Sequence, residues 1–244
     1  DHSLIIFNKN IIVGLLPAVL QTINNKKILF SHPGISYGGL VLDSGVNFTI
    51  LSEIIQSIDF YCVSCGFDSI VLINTPMIYY KKFDESINYL LQWNKYYVDE
   101  LYISHAVNLT LTNNIYKLLT KRKQRYINNS SDLNQFEIKT SNRFDQFYDI
   151  LVKTKKKYNS EPTHSLDELK KLKKLFPTEC VLLVSLYQTK VVGGSLLFFT
   201  NNKVSLVFYN VVLDSFRTSQ LSMYQLYKCM ELSKERGVLM VDFG

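Results

Sequence analysis

A glycine-rich loop near the start of the chain has the composition of a ligand-binding turn. It reads His-Pro-Gly-Ile-Ser-Tyr-Gly-Gly over residues 32–39, ahead of a predicted helix. Glycine permits close backbone approach, and amides beside serine and tyrosine hydroxyls suit phosphate or sugar hydroxyls. We favour this interpretation over a tight connector between a strand and a helix. The residues assigned to substrate are His32, Ser36, Tyr37, Gly38 and Gly39.

A second candidate is the basic sequence Lys121-Arg122-Lys123-Gln124-Arg125-Tyr126, at the end of a helix predicted over residues 113–127. Four cations in five residues cannot all be paired locally, so some of them face solvent or an anion. We assign Lys121, Arg122 and Arg125 to phosphate. Two further lysine clusters, at residues 153–157 and 170–174, are interpreted as solvated helix faces.

Composition sets the class of protein. The 244 residues are 47% hydrophobic and 20% charged, enough to bury the core of one large or two small domains. The net charge of +6 makes anionic partners plausible, such as phosphates, tRNA or a membrane surface. The longest apolar run, residues 11–20, contains Pro17 and is too short to cross a bilayer, so we predict no transmembrane segment.

The four cysteines fit a reduced, cytoplasmic protein. Cys62 and Cys65 form a CxxC in the last turn of a predicted helix. No second CxxC or nearby histidine completes a set of zinc ligands. We predict no metal ion.

Two stretches, residues 4–72 and 181–244, follow nearly the same order of predicted elements. Each reads as a hairpin, a further strand, a helix with one apolar face and a short closing strand, with residues 11–20 as one strand of the first copy. A chance match between common elements is the alternative. Gly66 and Gly237 each follow the helix where a left-handed stop is expected. The polar turns are Asn8-Lys9-Asn10, Asn24-Asn25, Gln188-Thr189-Lys190 and Asn201-Asn202.

The region between the copies is first rich in aromatic residues and then alternates between apolar and polar residues. Tyrosines and a tryptophan at residues 76–97 indicate a domain seam, with stacking on a sugar or base as the alternative. Residues 101–111 predict a half-buried strand with His105 on its apolar side, as a core or seam histidine. A polar loop then places the domain boundary after residue 130, giving domains 1–130 and 131–244. We expect the second domain to be truncated at residue 244.

The second half contains a helix start with a clear signature. Ser165-Leu166-Asp167-Glu168 is a capping box that predicts a short helix ending near Phe176-Pro177. His164 immediately precedes the cap. It is either simply exposed or in contact with substrate, and both interpretations stay open.

The doubled order resembles two copies of the GNAT acyltransferase fold, and tandem halves in one chain resemble the FemAB-like group of N-acyltransferases. Residues 31–40 resemble a phrase that follows the third strand of the first half in that group's polysaccharide-locus members. Residues 121–126, residues 162–169 with Phe176-Pro177, and Asp242-Phe243-Gly244 are also similar. The resemblance implies an α/β fold of two tandem GNAT-like mixed sheets, flanked by helices and packed side by side.

The resemblance also implies where the reacting groups lie. In the GNAT fold the acyl donor lies where two central parallel strands separate, here residues 207–211 and 238–243. Tyr209 is then a proton donor to the leaving group or an ordering hydroxyl, and Asp242 orients or deprotonates the amine. The phosphate-binding turn of ordinary GNAT enzymes falls on residues 217–222, so Arg217 and Ser219 are assigned to the donor. Gln220 and Ser222 stand at its glycine places, a departure that leaves the donor open.

We therefore expect an N-acyltransferase that moves an acyl or aminoacyl group from acyl-CoA or aminoacyl-tRNA to an amine. The acceptor is an amino sugar or cell-envelope precursor, either a small molecule or a lipid-linked sugar, with possible peripheral contact to a membrane. A non-catalytic module that binds anionic glycan or RNA is the alternative, because of the net charge and the cations at residues 121–125.

Overall fold

The computed structural model describes residues 1–34, 36–128 and 133–244. The chain divides into two compact units, unit 1 over Asp1–Tyr102 and unit 2 over Ile103–Gly244. The boundary predicted after residue 130 falls inside unit 2, and the loop predicted there lies largely outside the described residues, which omit 129–132.

Unit 1 contains two three-stranded sheets and two helices. One sheet has the order β1-β2-β5 and is antiparallel, and the other has the order β3-β4-β6, in which β4 pairs antiparallel with β3 and parallel with β6. The elements are β1 (Leu4–Asn8), β2 (Ile11–Leu16), β3 (Val19–Ile23), β4 (Lys26–Phe30), β5 (Val41–Leu42), α1 (Phe48–Ser64), β6 (Ser69–Val71) and α2 (Ser86–Trp93).

The prediction of one continuous strand over residues 11–20 is wrong. The structure breaks that run between Leu16 and Val19, and its two parts pair in different sheets. Pro17 lies in the break, where its missing amide hydrogen and fixed φ interrupt a strand ladder. Leu16 and Ala18 on either side stay buried in one core with Leu29 and the apolar face of α1.

Unit 2 is one six-stranded sheet of order β7-β12-β11-β10-β9-β8, covered by helices. All neighbouring strands are antiparallel except β11 and β12, which are parallel. Its elements are β7 (Ala106–Asn108), α3 (Lys121–Asn128), β8 (Phe136–Thr140), α4 (Phe144–Lys156), α5 (Leu166–Leu175), β9 (Cys180–Tyr187), β10 (Lys190–Phe199), β11 (Val204–Val212), α6 (Leu221–Glu235) and β12 (Met240–Asp242).

The sheet of unit 2 is buried on both faces, which explains its nearly continuous apolar strands. Alternate residues of β9, such as Leu182 and Val184, pack with Phe147 and Leu151 of α4. The intervening Leu183 packs in a second core with Cys229 and Met230 of α6. Helices α4 and α5 therefore cover one face and α6 the other.

The predicted order of a hairpin, a further strand, a helix and a closing strand is present in both units, although unit 1 divides its strands between two sheets. In unit 1, α1 leads to β6, which is parallel to β4, and the short β5 lies between β4 and α1 in the chain. In unit 2, α6 leads to β12, which is parallel to β11. Three of the four predicted polar turns contain left-handed residues, at Lys9-Asn10, Asn24-Asn25 and Gln188-Thr189. Gly66 and Gly237, after α1 and α6, have φ of 68° and 74°. The two units thus use the same local devices.

One irregularity in β11 changes which side chains share a face. Leu197 of β10 pairs with Val207, but Leu196 pairs with Tyr209, so Phe208 is an extra residue. Val207 belongs to the core under α6, whereas Tyr209 belongs to the core under α4. In a regular strand residues two apart point to the same face, so this β-bulge turns Tyr209 towards α4.

Two predictions between the copies are wrong. Only Ala106–Asn108 of the strand predicted at residues 101–111 is a strand, a 3-10 turn covers Leu109–Leu111, and His105 is exposed rather than buried. The helix predicted at residues 113–127 is instead a 3-10 turn, Ile115–Leu118, followed by α3. Asn108 and Asn114 explain both changes, because each side chain accepts a hydrogen bond from the backbone two residues later and starts a turn.

We predict that Gly194→Ala destabilises unit 2. A Cβ at residue 194 would lie 2.6 Å from the carbonyl oxygen of Leu183 and 2.9 Å from the ring of Phe147. Because the first contact is with backbone, relief requires strand movement, and we expect the free energy of unfolding to fall by about 1–3 kcal/mol in chemical denaturation. Lys190→Ala, at the exposed start of the same strand, is the control; an equal effect of both substitutions contradicts the steric explanation.

Candidate functional site

The two parallel strands of unit 2 separate at a defined point. The pairing of β11 with β12 covers only Val204↔Met240, Ser205↔Val241 and Leu206↔Asp242. Strand β11 continues to Val212 along β10, and among the described residues no strand pairs with its other edge beyond Leu206. This edge leaves backbone amides and carbonyls available at the carboxyl end of β12, the usual position for sites in open α/β sheets.

Asp242 and Tyr209 lie on the same face of the sheet. Val241 packs under α6, so its neighbour Asp242 points to the opposite face. The bulge turns Tyr209 to that face as well. Both side chains are buried, with 2% and 7% exposure, and the Oδ1 atom of Asp242 accepts a hydrogen bond from the amide of Gly244 at 3.0 Å.

His164 and Tyr209 both contact the bulged residue, Phe208. The ring centroids are 5.4 Å apart for His164 and Phe208 and 4.6 Å apart for Phe208 and Tyr209. The His164 Nδ1 atom and the Tyr209 hydroxyl are each buried without a hydrogen-bond partner in the described parts of the chain. Since a buried polar atom without a partner costs free energy, these two atoms are candidates for binding a substrate.

Two side chains of α4 complete the surroundings of Tyr209. The Lys155 Nζ atom lies 6.0 Å from the centroid of the Tyr209 ring. Tyr148 packs against the same core, and burial raises the pKa of its hydroxyl, with a further increase from Tyr209, Glu161 and Glu168. The Lys155 ammonium thus lies beside the Tyr209 ring, and the carboxylates of Glu161 and Glu168 act on the Tyr148 hydroxyl of the same cluster.

The start of α6 is tied to β11 by side chains. The Asn210 Nδ2 atom donates to the Ser222 hydroxyl at 2.9 Å, and Asn210 Oδ1 accepts from Ser195 at 2.9 Å. The buried Gln225 amide donates to the carbonyl of Val211 at 3.4 Å. These contacts fix the first turns of α6 against the strand that carries Tyr209.

The predicted donor turn precedes that helix. Gln220 takes a left-handed conformation with φ of 61°, although the side chain favours other regions. The hydroxyl of Ser219 donates to the carbonyl of Phe216 at 2.6 Å, and Arg217 is exposed. The turn therefore has a conformation suited to glycine at residue 220, and its Arg217 side chain is exposed to solvent.

The basic cluster lies on a solvent-exposed helix. Among the described residues no ion pair joins Lys121, Arg122 or Arg125 to a carboxylate, and α3 buries none of its side chains. The Arg122 guanidinium donates to the hydroxyl of Tyr126 at 3.1 Å. The cluster is available to an anion, but in the described part of the chain no contact of α3 connects it to Tyr209 or Asp242.

The glycine-rich loop lies in unit 1. Ser31 is fully buried and accepts a hydrogen bond from the amide of Ile73 at 2.7 Å, and Gly38 donates to the carbonyl of Ile73 at 2.9 Å. A Cβ at Gly39 would lie 3.1 Å from the Cα of Asn74. The loop thus runs beside the carboxyl end of β6 and leads to β5 rather than directly to a helix.

The substrate residues assigned to this loop differ in exposure. His32, with φ of 43°, and Ser36 are exposed. Tyr37 is half-buried, with its ring 4.6 Å from that of Tyr79. Ile35 lies outside the described residues. These positions belong to unit 1, whereas His164, Tyr209 and Asp242 belong to unit 2.

Sequence reasoning missed several residues around Tyr209. Phe208 looks like an ordinary strand residue, and nothing in an apolar run marks a bulge. Asn210 was detectable, because a polar residue in a strand buried on both faces needs a partner. Lys155 was hidden in a lysine cluster that we interpreted as a solvated face.

Neither a metal site nor a spanning helix is found in the described ranges. No group of three or more His, Cys, Asp or Glu side chains is arranged to hold a metal ion. Within those ranges, every helix falls short of the length and apolar character that crossing a bilayer requires. Cys62 is buried on α1 and Cys65 is exposed at its end.

The crystal structure of FemX is similar to this protein. The alignment covers all of this chain and 78% of the FemX chain, at a TM-score of 0.69 and 12% sequence identity. The chain has the FemAB-like GNAT fold. A second similar structure is the C-terminal domain of a putative lysylphosphatidylglycerol synthetase from Agrobacterium fabrum. It aligns with 95% of this chain and 67% of that one, at a TM-score of 0.61 and 10% identity. No family model matches the sequence, and no curated protein matches it significantly.

The FemAB-like fold confirms the prediction of an α/β chain with two tandem GNAT-like halves and mixed sheets. At identities of 10–12% the likeness concerns the fold. The residues of the site must therefore carry any argument about activity.

We predict that the thiols differ sharply in reactivity. Burial raises the pKa of Cys62 and of Cys180 to about 11 and that of Cys229 to about 12, so few of these groups are thiolates at neutral pH. Alkylation of the folded chain at pH 8, followed by mass spectrometry, should modify exposed Cys65 first. Rapid modification of Cys62 together with Cys65 contradicts this and would favour a redox role for the CxxC.

Proposed function

We propose that this chain is an N-acyltransferase, which moves an acyl or aminoacyl group from acyl-CoA or aminoacyl-tRNA to an amine. The proposed acceptor is an amino sugar or cell-envelope precursor, either free or lipid-linked. The observation that carries the proposal is the edge of β11 beyond Leu206, with which no described strand pairs, and the position of Tyr209 and Asp242 on one face beside it. The FemAB-like fold supports it as an analogy.

The reaction places three demands on such a site. The amine nitrogen attacks the donor carbonyl, the carbon–sulfur or carbon–oxygen bond breaks, and the leaving group takes a proton. An extended donor can hydrogen-bond to the free edge of β11 as an added strand does. In this proposal Asp242 orients the ammonium or takes its proton, and the Tyr209 hydroxyl donates one to the leaving group.

The acceptor is proposed to lie near His164. Its buried Nδ1 atom and the ring of Phe208 offer one polar and one apolar contact beside the Tyr209 hydroxyl. His32, Ser36, Tyr37, Gly38 and Gly39 are kept as proposed substrate contacts in unit 1.

Charge supports an anionic donor on unit 2. Residues 1–102 have six lysines against nine acidic residues, a formal charge of −3. Residues 103–244 have 21 basic against 12 acidic residues, a formal charge of +9. Both acyl-CoA and aminoacyl-tRNA carry phosphates, so Lys121, Arg122, Arg125, Arg217 and Ser219 are proposed as their contacts.

We predict that Tyr209→Phe lowers kcat by about 10²–10⁴-fold, the usual contribution of one general acid, and leaves donor affinity nearly unchanged. The assay uses the full chain with labelled acetyl-CoA and nucleotide amino sugars. Tyr158→Phe, at a tyrosine that is 68% exposed in the same unit, is the matched control. Unchanged turnover in a combined Tyr209→Phe and Asp242→Ala variant would remove both residues from the mechanism.

The exposed cations of α3 favour a second function, binding of RNA or an anionic glycan without catalysis. For this function we predict that replacing Lys121, Arg122 and Arg125 by alanine weakens RNA binding at least about tenfold at low salt. The dependence of log K on log salt should flatten by about 0.7 per lost contact. Lys171→Ala with Lys174→Ala, exposed lysines on α5, is the control. Salt-sensitive RNA binding in a chain that does not bind acyl donors supports this function over transfer, and RNA affinity that does not respond to salt contradicts it.

A further inference from the structure

A lysine occupies the core-facing side of α4. The side chains of Phe144, Phe147 and Leu151 on this helix are buried against the sheet of unit 2. Lys155 follows Leu151 by four residues, which places it one turn further along the same face. It is half-buried, whereas Lys153 in the same turn is exposed. The helix pattern therefore predicts an apolar side chain where the chain has a cation.

The end of the helix does not require a cation at this position. Lysines in the last turn of a helix interact favourably with its negative end. Lys153 and Lys156, both exposed in that turn, already supply this charge. Among the described residues no carboxylate lies within ion-pair distance of Lys155, whereas Lys157 forms an ion pair with Asp214. Since partial burial of a charge without an ion pair costs free energy, this lysine is a candidate for a functional role.

The ammonium of Lys155 lies beside the groups proposed to react. Its Nζ atom is 6.0 Å from the centroid of the Tyr209 ring. Tyr209 belongs to the core that α4 covers, and Asp242 points to the same face of the sheet. In the proposed reaction Asp242 acts on the amine and Tyr209 on the leaving group. A third group is required for the donor carbonyl oxygen, which becomes negative.

The charge on that oxygen arises and disappears within the transfer. The amine nitrogen forms a bond to the carbonyl carbon, and the π electrons of the carbonyl move to its oxygen. When the intermediate collapses, the carbonyl re-forms and the bond to sulfur or ester oxygen breaks, with its electron pair on the leaving group. The amine loses one proton and the leaving group gains one, so a lysine that only stabilises the oxygen stays protonated throughout. A fixed cation does this more strongly in a site with little water than in bulk water.

We propose that Lys155 is a catalytic residue of the acyl transfer, whose ammonium donates a hydrogen bond to the donor carbonyl oxygen as that oxygen becomes negative. The inference rests on the proposed function and adds to it the group that binds this oxygen. A backbone amide on the edge of β11 is the alternative donor, and it would make Lys155 dispensable.

The test compares Lys155→Met and Lys155→Arg in the full chain, with labelled acetyl-CoA and nucleotide amino sugars. We expect Lys155→Met to lower kcat by about 10²–10³-fold, the usual effect of losing one such donor. The KM for acetyl-CoA should stay within about twofold, because the negative oxygen does not exist in the bound ground state. Lys155→Arg keeps the charge and should retain at least about a tenth of the wild-type kcat. Lys153→Met, at an exposed lysine of the same helix, is the matched control.

Thermal denaturation separates a catalytic role from packing. Methionine is flexible and apolar, so it suits the core-facing position, and the Tm of Lys155→Met should equal or exceed that of the wild-type chain. Circular dichroism establishes that each variant is folded, and Lys155→Gln serves in place of Lys155→Met if the latter is not. A fall in Tm that accompanies the fall in kcat assigns the effect to packing and overturns the proposal.

The remaining outcomes also decide the matter. A wild-type kcat in Lys155→Met refutes the role of Lys155 and favours the backbone amide, while leaving the proposed function intact. A raised KM for acetyl-CoA with unchanged kcat makes Lys155 a contact for donor phosphates and refutes it as well. A folded wild-type chain that transfers no acyl group removes the proposed function, and the role of Lys155 with it.

Discussion

A single extra residue in β11 decides which side chains meet on one face of the sheet in unit 2. Strand geometry alone would turn Tyr209 towards α6, as it turns Val207, and away from Asp242. The bulge at Phe208 reverses this and brings Tyr209 to the face where Asp242, His164 and α4 lie. A bulge leaves part of the ladder unpaired, so it persists where the surrounding packing compensates for it. Here β9, β10 and the cores on both faces provide that packing.

The same strand has a free edge, and the two features are physically related. Because β12 ends at Asp242, β11 has a pairing partner on both sides only up to Leu206. Beyond that point β11 is held by β10 and by two contacts with α6, from Asn210 to Ser222 and from Gln225 to the carbonyl of Val211. Within the described residues this edge is unpaired but supported from the other side, so a ligand bound there would not have to order the strand first. Rigid support is what an acyl-transfer site requires of its scaffold.

Much of the architecture was predictable from the sequence because it depends on local signals. Polar turn pairs, glycines that end helices and the Ser165 capping box are each recognised over a few residues. Both hydrogen bonds of the capping box, between Ser165 and Glu168, are present in the structure. The predictions were wrong where an alternating apolar pattern was overridden by the local effect of a single residue within it. Pro17 broke a strand, and asparagine side chains at residues 108 and 114 started turns.

The candidate site shows the same limit. Tyr209 and Asp242 were assigned through a resemblance to a family. Their placement on one face depends on a β-bulge that cannot be predicted from the residue types in β11. His164 could be interpreted as exposed or as a substrate contact, and only the position of Phe208 brings its ring near Tyr209. The exposed rings of Tyr89 and Trp93 were assigned to a seam, because their sequence spacing fits either a packed or a solvent-facing stripe. Only the burial of each side chain in the folded structure, and not the sequence pattern, distinguishes a packed residue from an exposed one.

Hydrogen exchange with mass spectrometry tests the central claim most directly, that the edge of β11 beyond Leu206 receives the donor. The full chain is compared with and without a saturating, hydrolysis-resistant acyl donor. We predict slower exchange for amides of residues 207–212 in the presence of donor, with little change in β9, which is paired on both sides. Donor binding that leaves exchange at residues 207–212 unchanged would contradict the account.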